Sequence, residues 1–338
     1  MSDFKINSIA TKQGQHGPVI AGVSTVNSTG CMKIPSGPTE FRGGRGRGII
    51  AGGYDLDNSV GLTKMNFVDI ATTGDGQDFG DMSYGNSHRS GFASSTRGIF
   101  ANASNDNTYD YVTISSQGGA NDFGEAPDTA RNGATFNDSV RGFNAGGSDP
   151  AKKSNIRGMI IASTGSFFDT GDLSQVGVYM SGASSPTRGI IFGGAFPANS
   201  SKNIDVFTMA SGGSAIKFGE LITARKYADT AGNTTRALAA GGEGPSANIN
   251  SIEFVTIATD GNGTDFGDIS SATGTGKNGV VSNATRGIFS GFYPASGGDR
   301  RMDFVTITSA GNAQDFGDLT TAAYYPGGCS DSNGGLGE

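Results

Sequence analysis

Tryptophan is absent and histidine occurs only twice, as His16 and His88. A copper redox centre built from several His and Tyr ligands is therefore excluded. A Ser-His-Asp triad lacks support, because neither His lies in a nucleophile motif. Two cysteines, Cys31 and Cys329, stand near opposite ends of the chain and make no disulfide framework. No apolar run reaches the ~18 residues a membrane helix needs. The opening MSDFKINSIA has no basic region followed by an apolar one, so no signal peptide is expected. Only 16% of residues are charged, with a net charge of −7, which argues against a broad basic surface for nucleic acid.

Glycine, by contrast, is abundant, with 57 residues in 338. No G-X-Y period is present, so collagen is excluded, and recurrent β-branched and aromatic runs argue against disorder. Short apolar runs punctuated by glycine indicate short strands and tight turns.

The dominant signal is a repeat of about 48 residues. One landmark is an Arg leading an apolar run: RGIIAGG from Arg47, RGIFANA from Arg97, RGFNAGG from Arg141, RGIIFGG from Arg188, RALAAGG from Arg236 and RGIFSGF from Arg286. The other is an apolar strand, a turn and an FG-acid step, as in FVDIATTGDGQDFGD from Phe67 and FVTITSAGNAQDFGD from Phe304. Blade 3 departs most, with Thr170 in place of the aromatic. Each copy reads as four strands: one before the Arg, the RG strand, the FVTI-type strand and the short FG-acid strand. Four antiparallel strands per repeat make a propeller blade. The expected fold is all-β, a six-bladed β-propeller over residues 41–338 preceded by an extended arm over 1–40. Repeat 1 lacks a first strand and YPGGCSDSNG supplies an unmatched one, so residues 325–334 should close the ring against residues 47–53.

The strand ending in GG resembles the kelch repeat. The fuller wording, STRGIF followed by FVTIATxGNxxDFGDLT, resembles repeat proteins among the virion-structural and tail-fibre-like proteins of marine cyanophages and related tailed phages. The leader GPVIAGVSTVNSTGCMKIPSGPTEFRGGRGRG resembles that of such proteins too. The kelch aromatic pair is incomplete, and Phe79, Phe123, Phe218, Phe266 and Phe316 are expected to take its packing role. The resemblance implies a virion protein assembled in the host cytoplasm, non-enzymatic, its arm docking on other virion proteins and its copies forming homo-oligomers in the particle. A host receptor- or carbohydrate-binding adhesin is the alternative, and a glycan-active enzyme a more distant one.

Several local patterns carry candidate chemistry. Asp75, Asp78 and Asp81 stand at three-residue steps, a spacing that hard oxygen ligands for Ca²⁺ can use. Turn capping is the competing reading, and other copies put Lys217, Asn312 or Ala313 at these positions. No other cofactor is expected. SATGTGKNG around Lys277 departs from a phosphate loop at both ends, and RGGRGRG from Arg42 reads as an entry into the first blade. An Arg series (Arg47, Arg97, Arg141, Arg188, Arg236, Arg286) and an acid series (Asp81, Glu125, Asp172, Glu220, Asp268, Asp318) begin strands at one end of each blade. They are expected to form a ring of structural ion pairs or Arg-to-carbonyl bonds. The loops between second and third strands differ in every blade, so Tyr54, Phe196, Phe292, Tyr293 and Arg300 are the candidate contact residues for a glycan, receptor or neighbouring subunit.

Overall fold

The computed structural model describes residues 46–101, 106–148, 150–196, 199–270, 275–292 and 299–332. The arm expected at 1–40 and Tyr293 lie outside them. Within them are six four-stranded antiparallel sheets, together with a two-stranded hairpin, Tyr54–Asp55 with Val60–Gly61. The fold is a six-bladed β-propeller.

Each blade takes its strands in the expected order from axis to rim. In blade 2 these are Ser90–Ala93, Arg97–Ala101, Thr108–Thr113 and Asn121–Glu125. Blade 1 is the exception that closes the ring. Its inner strand is Gly327–Ser330, paired antiparallel with Arg47–Ala51 from Gly48↔Ser330 to Ala51↔Gly327. Asp331 seals this joint by accepting the backbone N–H groups of Gly46 at 2.6 Å and Arg47 at 3.0 Å. Ser94, Asp138, Ser185, Asn233 and Asn283 do the same at the equivalent turn of the other blades. Short polar side chains suit this task because they bond backbone donors two or three residues away.

The core is distributed. Six apolar clusters are present, one at each boundary between neighbouring blades. The five FG phenylalanines, Phe79, Phe123, Phe218, Phe266 and Phe316, are buried there. Phe79, Phe123, Phe266 and Phe316 stand edge-on to an aromatic of their own third strand. Thr170, in the divergent blade 3, instead donates its hydroxyl to the Ile156 carbonyl at 2.6 Å.

Three polar seams reinforce every apolar boundary or nearly so. First, the third-to-fourth hairpin of each blade bonds to the FG-acid strand of the preceding blade: Gly118 N–H to the Phe79 carbonyl at 2.9 Å, and Ala120 N–H to that of Asp81 at 2.8 Å. The FG glycine is at positive φ in five of six copies, for example 142° at Gly80 and Gly317. Second, each third strand carries a buried polar residue: Asn66, Asp110, Arg157, Asp205, Glu253 or Asp303. Five of them accept hydrogen bonds from the segment just past the preceding blade's FG-acid step, at Ser83, Ser174, Ile222, Ser270 and Thr320. At the boundary of blades 2 and 3, Pro127 stands at the donor position and has no N–H. There the polarity is inverted, and Arg157 pairs with Asp128.

The third seam is the Arg series. Arg47, Arg97, Arg188 and Arg236 donate to the carbonyls of Ile114, Ile161, Ile257 and Ile307 in the next blade at 3.0–3.1 Å. Arg286 donates to Ala71 at 2.8 Å, across the closure. Arg141 is diverted onto Asp138, its own turn cap, at 2.7 Å. Of the two kinds of bond expected, the Arg-to-carbonyl bonds are present in five copies, whereas the ion pairs need correction: among the described residues no ion pair joins the Arg series to the acid series. Asp81 bonds Thr63 and Lys64, Asp172 bonds Ser154, and Glu220 bonds Lys217. Glu125 and Asp318 are exposed and Asp268 is half-buried. The acids were expected to begin the fourth strand but come at its far end. Arg47 lies opposite Asp69 at the end of the third strand and Asp81 opposite Lys64 at its start. The two series therefore stand at opposite ends of the blade, and every Arg but Arg141 turns sideways to the next blade.

Candidate functional site

The inner strands ring the axis and touch one another through small residues. A side chain at Gly182 would run into the Thr135 carbonyl, and one at Gly328 into that of Val280. Thr135 and Thr230 donate hydroxyls to the carbonyls of Gly91 and Gly182. The axial cavity left over is about 60 Å³, room for a few waters only.

The mouth of this axis on the face of the blade-to-blade loops is different. Two residues before the inner strand stand His88, Asn132, Tyr179, Tyr227 and Tyr325, in five of the six blades. All five adopt the left-handed conformation, with φ between 55° and 62°. For a residue with a side chain this costs on the order of 1 kcal/mol. The backbone holds them there by bonding blade to blade. Tyr179 donates to the Asn132 carbonyl at 2.8 Å, Tyr227 to that of Tyr179 at 3.0 Å, and His88 to that of Tyr325 at 3.1 Å. Strain repeated at one position in five blades and met by a collar of hydrogen bonds marks a place of interest.

The collar gathers aromatic rings across the axis. Tyr179 and Tyr227 have centroids 4.2 Å apart, Tyr227 and Tyr325 5.9 Å, and Tyr325 and His88 4.2 Å. Tyr324 joins at 3.7 Å from Tyr325. All five rings are half-buried. Burial and the hydrogen bond to Tyr179 push the Tyr227 phenol up, and burial with the neighbouring Tyr324 does so for Tyr325. These phenols stay neutral. Lys226 and Glu243 pair at 2.9 Å beside them.

The candidate contact residues fall unevenly about this mouth. Tyr54 is beside it, its backbone exchanging hydrogen bonds with Tyr324 at 2.7 and 3.0 Å. Phe196 lies against Gly177 and the boundary of blades 3 and 4. Phe292 is a correction: it is fully buried in the boundary of blades 5 and 6, with Arg301 over its ring at 5.0 Å. It is the last residue of a second strand, Arg286–Phe292, that runs on past its Gly. Arg300 is exposed at the rim and donates to the Leu319 carbonyl at 2.6 Å. Asp75 and Asp81 are engaged in protein contacts, Asp75 with the Asp318 N–H at 3.0 Å. Among the described residues no three His, Cys, Asp or Glu stand together as metal ligands.

The aromatic mouth escaped sequence reasoning, although a signal was present. The motifs SHRSGF, VYMSGA, KYADTA and YYPGGC place an aromatic at one offset before the inner strand. Taken singly, each reads as the start of that strand.

The class defined by this architecture is a six-bladed propeller with a plugged axis and two unlike faces. No family model matches the chain, and no curated protein matches it either.

Proposed function

We propose that the chain is a non-enzymatic virion structural protein of a tailed phage, its propeller a rigid body that presents one variable face. The single observation behind this reading is the contrast between the faces. On one, similar caps and hairpins recur from blade to blade, the caps closing a turn within the blade and the hairpins bonding to the preceding blade. On the other, every second-to-third loop differs in sequence, and among the described residues Tyr54, Ser148, Ala195 and Glu243 of these loops bridge to the chain beside an aromatic axial mouth. A rigid scaffold that carries variable loops suits recognition. The buried carboxylates sit at blade boundaries with hydrogen-bond donors and not in a shared cleft, which favours architecture over acid–base chemistry. The repeat wording and the leader, which resemble those of phage structural proteins, support placement in a particle with the N-terminal arm as its anchor.

The receptor-binding alternative is favoured by the same aromatic mouth. The test is peptide mass spectrometry of purified particles together with labelling by an antibody against the full chain. Stoichiometric chain in the particle, labelled on its surface, is the expected result; particles lacking it would overturn the reading.

A further inference from the structure

From the axial cluster we infer a saccharide-binding platform formed by Tyr179, Tyr227, Tyr325, Tyr324 and His88. Saccharide rings present one face of C–H groups and an edge of hydroxyls. The electron-rich face of an aromatic ring attracts the first, and phenol hydroxyls and amides bond the second. Tyrosine adds rigid amphipathic area at low entropy cost. Here four tyrosines and an imidazole lie within 6 Å of their neighbours, centroid to centroid, and all keep some exposure.

Other ligands of aromatic sites fit less well. A quaternary ammonium needs rings facing a common gap, and these rings lie on one another at 3.7–5.9 Å without one. Nucleobases stack on such platforms only where a basic groove holds the phosphates, and this chain has a net charge of −7. A neutral saccharide needs neither.

Two further features point the same way. The Asn132 Oδ1 and the Ser181 Oγ, each in a residue at least nine-tenths buried, find no hydrogen-bond partner among the described residues. Both lie at the collar: Asn132 is one of its members, and Ser181 opens the inner strand after Tyr179. The left-handed backbone is the second feature. It sets these side chains over the axis at a cost that packing alone does not require, since glycine would adopt the same conformation freely.

This inference rests on the reading of the variable face as the presented one, but its test does not depend on the particle. The full chain has no Trp and nine Tyr, so tyrosine emission reports on a site that holds four of them. Linear gluco-, galacto- and manno-hexasaccharides are titrated one at a time. At least one should change the emission saturably, with a dissociation constant of about 1 mM or tighter. The double variant Tyr227→Gly/Tyr325→Gly removes two central rings at positions of φ 57° and 55°, where glycine is at ease. It should keep its Tm and lose affinity at least tenfold, whereas Tyr227→Phe/Tyr325→Phe should lose less. If the double glycine variant does not fold, mass spectrometry of tyrosine nitration on the wild-type chain decides. Protection of Tyr179, Tyr227 and Tyr325 by the hexasaccharide supports the site, and protection elsewhere overturns it. A response to none of the three hexasaccharides, or unchanged affinity in the glycine variant, also overturns it. Saccharide binding by a chain absent from particles would refute only the virion reading.

Discussion

Gly317 stands at φ 142°, and a Cβ there would lie 2.5 Å from the Gly74 carbonyl oxygen of the next blade. Both the backbone conformation and the close approach demand glycine, which explains why the FG-acid step recurs. Its role is to receive the neighbouring hairpin, and the acid that follows contributes its backbone more than its charge. Gly317→Ala should therefore cost about 1–3 kcal/mol from backbone strain alone, and more if the hairpin is displaced. Urea unfolding measures it. A loss below about 0.5 kcal/mol, ordinary for a surface substitution, would mean that the two chains do not touch as described. Cys329, on the inner strand that closes the ring, illustrates the same crowding. Its thiol is pushed up by burial and lies in an apolar cluster, so it behaves as a small hydrophobe.

Among the strands, the third carries the most consequential residue of each repeat. Asp110 is fully buried with Arg89 at 3.7 Å, and accepts the Ser83 hydroxyl at 2.7–2.8 Å. Burial raises its carboxyl, opposed by the Ser83 bond and by Arg89. Removing one partner of such a pair strands the other charge. Asp110→Ala should destabilise by about 3–5 kcal/mol, while Arg89→Met/Asp110→Leu should cost much less. Thermal unfolding of the three proteins tests this, and equal losses in the single and double variants would contradict it. The inversion at the next boundary follows the same logic. With Pro127 unable to donate, an acid on blade 3 would lack its backbone partner, and Arg157 paired to Asp128 restores the balance of charge. Arg225 with Glu253 repeats the device between blades 4 and 5, with both side chains buried.

As a whole molecule the propeller is a closed chain of boundaries, each with its own apolar cluster and two or three polar seams. Stability then depends on closure as much as on any one blade. Deleting residues 327–338 removes the inner strand of blade 1 and the Asp331 cap, and exposes the edge of Arg47–Ala51. It also removes Cys329 from the boundary of blades 1 and 2. The expected outcome is loss of a single cooperative transition in calorimetry, with self-association on size exclusion through the bared edge. A monomer that still melts sharply near the full-length temperature would show that closure contributes little.

The repeat landmarks by themselves determined the number of blades, the four strands in each and the closing strand. That is because strand periodicity and turn chemistry are local, and six copies average out individual departures such as Thr170. The Arg series was also legible as structural, since one Arg at a fixed point of every repeat can only meet its own blade or the next. Which partner it takes was decided in space. Asp81 and its counterparts were read as beginning strands at the Arg end, yet they come at the far end of the fourth strand, opposite the start of the third, whereas each Arg lies opposite the third strand's end. The buried acids one position before the FVTI-type run, such as Glu253 and Asp303, looked like ordinary strand residues until the blades were set side by side. Phe292 looked like a loop aromatic until its strand was seen to run on past Gly291. The axial mouth depended most on tertiary structure. His88, Tyr179, Tyr227 and Tyr325 come from blades far apart in sequence, and only the curvature that brings six inner strands round one axis places their rings within contact of each other.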